Sequence, residues 1–194
     1  MVISSVLTNV LGVLLLAAAT PAPSAPPANV APEKIISAAS GSFANDGTMN
    51  RAILINDADN DAADLVIYAG DIGGPFKVVA FAHDIAYAGA MFGTQPELRV
   101  TKDGGLSVYS ENTGVGRSKW EQTLTLAYRN GQYVVSGFTQ SSWDGLDPNA
   151  GGSCDINFLT GKGVKNTKTK LTLTPGGIPV GQWSDDKIPK ACQF

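Results

Sequence analysis

Histidine and cysteine, the residues that most often carry catalysis or bind zinc, are scarce in this sequence. His83 is the only histidine, and it stands in "FAHDIAY". A Ser–His–Asp or Cys–His device would have to use it, and the chain has no Gly-x-Ser-x-Gly elbow. Two cysteines and one histidine cannot close a tetrahedral zinc site. We therefore expect His83 to be structural, and the sequence offers no catalytic residue.

Charged side chains are absent from the first 32 residues. The apolar run Val10–Ala19 is too short to span a bilayer comfortably and suits the core of a signal peptide. We expect residues 1–19 to be a signal peptide cleaved between 18 and 32, which leaves no transmembrane span in the mature form. A retained anchor is the alternative, because no Lys or Arg precedes the core. Residues 20–32 are rich in Pro and Ala, which predicts an extended spacer.

A strong net charge and long internal repeats are also missing. The formal net charge is −3, which indicates neither a nucleic acid nor an acidic membrane surface as partner. No repeat of propeller-blade length is visible, which disfavours a multi-bladed array. Residues 33–194 are long enough for one domain with its own core.

The sequence does contain many short segments with the composition typical of β-strands. Short runs such as "RAILIN" and "DLVIYAG" are rich in β-branched residues and are separated by Gly, Asp and Asn. Apolar residues alternate along 120–128, and Asn130–Gly131 then offers a tight hairpin turn. We predict a mainly β domain at 33–194: one antiparallel β-sandwich or strongly bent sheet, with short helices near 33–44 and 84–92.

Cys154 and Cys192 form an even pair in a chain that we expect to be exported. A structural disulfide is the simplest interpretation, and two free thiols or a redox pair are the alternatives. On the loop-entropy model, such a bond would stabilise the fold by about 4 kcal/mol.

The stretch "NDADNDAADLVIYAGD", Asn56–Asp71, is the most acidic in the chain. Its alternating Asp57, Asp59 and Asp61 resemble the calcium loop of FG-GAP and VCBS-type repeats over residues 57–65. The resemblance implies a weak calcium site of Asp57, Asp59, Asp61 and Asp64. However, Ala62 stands where those repeats have Gly, and Asp64 comes one residue early. We therefore favour a seven-residue acidic hairpin loop with at most weak calcium affinity, and expect no other cofactor.

Two further segments are candidates for binding. Trp143 and Asp144 stand in the Gly/Asp-rich "SSWDGLDPNAGGS", which we interpret as a loop presenting an aromatic residue. The run "KGVKNTKTK" contains Lys162, Lys165 and Lys168, which predict either a solvated edge strand or a patch for an anionic ligand. We expect the other two tryptophans to be buried, Trp120 in the core and Trp183 under the C-terminal arm.

The segment "WEQTLTLAYRNGQYVVSGFTQSSWD", followed by "CDINFLTGKGVKN", resembles the C-terminal half of a group of small exported bacterial proteins of uncharacterised function. The resemblance covers residues 117–166. It implies a bacterial envelope setting and supplies no catalytic residues.

These observations lead to one functional expectation with two alternatives. We expect a non-catalytic periplasmic or secreted envelope binding module, whose partner is an envelope protein or a glycan. The alternatives are a carboxylate-dependent glycan hydrolase and a purely structural envelope protein.

Overall fold

The structure is a computed structural model that describes residues 25–27, 29–71, 73–147 and 149–194. The predicted signal peptide and the first part of the predicted spacer lie outside the described residues. Within those ranges, no helix has both the length and the apolar character needed to cross a membrane. The end of the spacer contacts the domain, because residues 29–31 line a cavity of about 300 Å³ together with Ile55 and Asp64.

The first of two antiparallel sheets contains four strands that follow one another in sequence order. Its strands are β1 (Ile35–Gly41), β2 (Met49–Asp57), β3 (Ala62–Gly70) and β4 (Lys77–Tyr87). Helices were expected near 33–44 and 84–92, and this prediction was wrong. β1 occupies most of the first segment, and the second consists of the end of β4 and the loop after it. Register shifts interrupt β1 at 35–37 and β4 opposite 63–65, so the period-2 pattern is broken where the sequence suggested helices.

The second sheet is larger, and its main path also runs in sequence order. Its strands are β5 (Glu97–Val100), β6 (Leu106–Asn112), β7 (Ser118–Arg129), β8 (Gln132–Asp144), β9 (Gly151–Asn157), β10 (Lys162–Lys165) and β11 (Thr169–Thr172). A two-residue strand, β12 (Ile178–Pro179), returns to pair with β8. The predicted hairpin is confirmed: β7 and β8 pair across a turn in which Asn130 and Gly131 have φ of 51° and 82°.

The core lies between the two sheets, as the prediction of a β-sandwich requires. Sheet one buries Leu54, Leu65 and Ile67 completely, and sheet two buries Leu124 and Phe138 almost completely. A side-chain hydrogen bond also joins the sheets, since the backbone N–H of Leu98 donates to Ser37 Oγ at 3.0 Å. The predicted fold class, a mainly antiparallel β-sandwich, is confirmed.

Residues 178–194, which we call the C-terminal arm, pack against both sheets through contacts with β4 and β8. Trp183 of this arm is buried, with its ring centroid 6.2 Å from that of Phe138. The disulfide between Cys154 in β9 and Cys192 in the arm is present, which confirms that prediction. Helical structure among the described residues consists of four three-residue 3₁₀ turns, at Pro32–Lys34, Val180–Gln182, Asp185–Lys187 and Lys190–Cys192.

Candidate functional site

A groove begins where the apolar core of the sandwich ends. Successive side chains of a strand point to opposite faces, so residues two apart share a face. The inner face of β7 carries Leu124 in the core and then Gln122 and Trp120. On β8 the same face continues from Phe138 to Gln140 and Ser142, which pair with Gln122 and Trp120. The inner face thus changes from aliphatic residues to amides, a hydroxyl and an indole.

Two adjoining cavities follow this change, and together we call them the inner groove. They measure about 520 and 440 Å³. Trp120, Gln140 and Ile188 line both, so the two spaces are neighbours. The C-terminal arm forms the wall opposite the sheet through Ile188 and Phe194.

The larger cavity is the aromatic end of the inner groove. The ring of Trp120 is half-buried and packs at a tilt against Tyr87, with 5.7 Å between ring centroids. Phe194 is 49% exposed and lies over Gly152, where an added Cβ would clash with its ring. Glycine at 152 therefore leaves room for the aromatic ring of the arm to reach the sheet.

The smaller cavity is the acidic end of the inner groove. Asp61, Asp84 and Asp185 line it, together with Gln122 and Tyr87. Burial of the carboxyl group raises the pKa of Asp185, and the charge of Asp186 raises it further. Burial also raises the pKa of Asp84, although His83 opposes this effect. Both residues are nevertheless exposed to solvent, so their carboxyl groups are accessible for hydrogen bonds with a bound polar molecule.

Trp143 and Asp144 do not lie in a loop, as the sequence had suggested, because both belong to the last residues of β8. Trp143 is 38% exposed and borders the open rim of the inner groove. It alternates with Ser142 along β8, which directs its side chain away from the inner face. Asp144 accepts a hydrogen bond from Arg117 Nε at 2.7 Å, and this contact lowers the pKa of Asp144. Asp144 therefore has a structural partner.

Trp120 was expected in the core, and this prediction was wrong. It is half-buried, stands outside the buried core and lines both cavities of the inner groove. The even spacing of Trp120, Leu124 and Leu126 correctly placed the three residues on one face. It could not show that Trp120 packs against Tyr87, at the end of β4, where the two cavities open. Trp183, in contrast, is buried as expected.

None of the three candidate lysines lines the inner groove. Lys162 and Lys165 belong to β10, and Lys168 lies in the turn before β11. Lys165 contacts a residue that lines the groove, because its Nζ lies 4.6 Å from the centroid of the Phe194 ring. Lys162 and Lys168 are exposed. Their exposure agrees with both interpretations, a solvated edge strand and a patch for an anionic ligand.

The acidic stretch forms the predicted hairpin, but its loop is shorter than seven residues. Asp57 of β2 pairs with Ala62 of β3, so only residues 58–61 make the turn. Ala62 and Ala63 are buried in the ladder, although alanine carries no strong strand signal. Asp59 and Asp61 are exposed in the turn. The weak calcium site of Asp57, Asp59, Asp61 and Asp64 stays a prediction.

Asp64 contacts β4 through a cluster that the sequence did not reveal. His83 Nδ1 lies 2.7 Å from Asp64 Oδ1, and His83 Nε2 lies 3.4 Å from Asp84 Oδ2. The hydrogen bond with Asp64 raises the pKa of His83 above 6.5. Asp57 also offers an oxygen close to His83 and Asp84. Asp64 and His83 are 19 positions apart in the sequence and meet only because β3 pairs with β4. Local sequence patterns could not show this contact.

Comparison of the chain with protein-family models, with curated proteins and with solved structures gave no match. We therefore infer the function from the geometry of the inner groove and of the residues around it.

Proposed function

We propose that this protein is an extracytoplasmic binding module that holds a glycan chain in its inner groove. The observation that carries the proposal is the inner face of β7 and β8, which continues past the core as Trp120, Gln122, Gln140 and Ser142 and stays open.

The chemistry of the inner groove suits a sugar polymer. A pyranose ring has an apolar face that packs on an aromatic ring, and Trp120 offers such a ring beside Tyr87. Its hydroxyl groups need amides and carboxylates at fixed places, which Gln122, Gln140 and Asp185 supply. Because the two cavities adjoin, the inner groove can hold an extended ligand.

An exported setting agrees with the disulfide. Disulfide bonds form and persist in oxidising compartments outside the bacterial cytoplasm, and Cys154–Cys192 is a structural bond of this kind. We propose a periplasmic or secreted location, with glycans of the bacterial envelope as the ligand.

The central test is the substitution Trp120→Ala. We expect it to weaken binding to a soluble N-acetylglucosamine tetramer and to purified peptidoglycan by about 2 kcal/mol, roughly thirtyfold, because an aromatic platform is lost. Calorimetric titration and a sedimentation assay measure the two affinities, and circular dichroism shows that the variant is folded.

Trp143→Ala is the matched control, because Trp143 occupies the rim on the neighbouring strand. We expect it to change both affinities less than threefold. Loss of binding in Trp143→Ala with full binding in Trp120→Ala would place the ligand on the outer face of β8 and overturn the proposal. Absence of binding to either probe by the unmodified protein would also contradict it.

Glycan hydrolysis is the second candidate, favoured by the carboxyl groups at the acidic end of the inner groove. A glycosidase needs two carboxyl groups, one of which is protonated at working pH. Asp84 and Asp185 line one cavity, and burial raises the pKa of both. Release of new reducing ends from peptidoglycan, lost in Asp185→Asn, would establish this activity in place of binding alone.

A further inference from the structure

We propose that Asp57, His83 and Asp84 form a binding site for a divalent transition-metal ion. The inference does not depend on the glycan proposal, because its ligands come from the end of β2 and from β4, and its test measures metal binding directly. The cluster adjoins the acidic end of the inner groove, which Asp84 also lines.

A bulge in β4 brings two of the three ligands together. Consecutive residues of a regular strand point to opposite faces, so neighbours such as His83 and Asp84 do not normally meet. Here the pairing with β3 jumps from Leu65–Ala82 to Ala63–Ala86, which leaves three residues of β4 opposite Asp64. Asp84 adopts a left-handed backbone with φ of 49°, and both side chains are exposed at this place. The bulge thus aims a histidine and a carboxylate at one point.

Asp64 fixes the orientation of the histidine. Its Oδ1 lies 2.7 Å from His83 Nδ1 and also accepts the backbone N–H of Asp84 at 3.0 Å. When Nδ1 carries the proton that Asp64 accepts, the lone pair of Nε2 is free for a metal ion. Histidine ligands of metal ions are held in this way by a carboxylate behind them. Asp64 is therefore a positioning residue.

Asp57 supplies the third ligand from a prearranged position. Its Oδ1 accepts the backbone N–H of Asp59 at 3.2 Å, and its Oδ2 accepts Asn60 Nδ2 at 2.8 Å. These hydrogen bonds within the turn hold the carboxylate in place, and each oxygen keeps a further lone pair for an ion.

The spacing and the type of ligand select the class of metal. One ligand atom each from Asp57, His83 and Asp84 lies within 4.8 Å of the other two. Two ligands bound to one zinc-like ion at about 2.1 Å are at most about 4.2 Å apart, so small side-chain rotations complete the site. One imidazole and two carboxylates suit zinc, cobalt or manganese with water in the remaining positions. Calcium needs six to eight oxygens, which this set does not provide.

The experiment titrates the untagged protein with Zn²⁺, Co²⁺ and Ca²⁺ in a calorimeter, and follows Co²⁺ by its visible absorption. A polyhistidine tag is avoided because it would bind the same ions. We expect saturable binding of one Zn²⁺ or Co²⁺ per chain, and at least a tenfold loss of affinity in His83→Ala. Asp64→Asn should weaken binding less and shift the Co²⁺ spectrum, because the imidazole is no longer held.

Asp59→Asn is the matched control, since Asp59 lies in the turn two residues after Asp57 and is not one of the three ligands. We expect this variant to keep the full affinity for Zn²⁺. Absence of saturable Zn²⁺ and Co²⁺ binding, or binding unchanged in folded His83→Ala, would overturn the proposal. Micromolar Ca²⁺ binding lost in Asp59→Asn, without a Zn²⁺ site, would assign the metal to the acidic turn instead.

Discussion

Replacing both cysteines, as Cys154→Ser with Cys192→Ser, should lower the free energy of unfolding by about 4 kcal/mol. The bond joins residues 38 positions apart, and its loss gives the unfolded chain back the entropy of that loop. Both positions are buried, so the two hydroxyl groups add a further cost of burying polar atoms. In a domain of this size, the melting temperature should fall by roughly 10 °C or more.

Thermal and urea unfolding monitored by circular dichroism measure this loss. Unmodified protein treated with a reductant provides the control, because it lacks the bond and keeps both sulfur atoms. We expect the stability of the reduced protein to lie between that of the oxidised protein and that of the double variant. A double variant that melts within about 2 °C of the oxidised protein would show that the arm is held without the bond.

Phe138→Ala should destabilise the domain by about 3–5 kcal/mol. Phe138 is 1% exposed on the inner face of β8, and its ring centroid lies 6.2 Å from that of Trp183. Truncation removes apolar surface from the core and leaves a cavity that the two surrounding sheets cannot fully close. The loss should appear in urea unfolding as a lower midpoint with an unchanged slope.

Phe92→Ala is the matched control for this prediction. It deletes the same side chain at a position that is 97% exposed, so we expect a change below about 0.5 kcal/mol. Equal losses of stability in the two variants would contradict the structure, because they would mean that Phe92 is buried in solution to the same extent as Phe138.

Much of the fold could be predicted from local sequence patterns. Alternation in 120–128 and the Asn130–Gly131 turn fix the β7–β8 hairpin, because both the period and the turn residues act within a few positions. The pair Cys154 and Cys192 could be matched because the chain has no other cysteines. The segments near 33–44 and 84–92 were assigned wrongly, since bulges there interrupt the alternation on which the assignment depends.

The candidate sites were much harder to predict. Trp120 and Leu124 occupy equivalent places in the sequence pattern. Leu124 is buried in the core, whereas Trp120 lies at the end of the opposing strand β4, beside Tyr87 and the two cavities. The cluster at His83 depends on a bulge and on a partner strand, and neither has a local signature in "FAHDIAY". The polar neighbours of Trp143 suggested that it lies in a loop, yet they belong to the end of β8 and to the turn after it. The resemblance over residues 117–166 stays a prediction.

The order of the strands in the chain indicates when the inner groove forms during folding. Along the main path of each sheet, neighbouring strands are also neighbours in the chain, so each pairing closes a short loop and can form early. The C-terminal arm is different, because β12 must return to β8 past three intervening strands before Trp183 can reach Phe138. We expect the arm to dock last during folding. Since the arm forms one wall of the inner groove, a chain that has not completed its folding has no groove to offer a ligand.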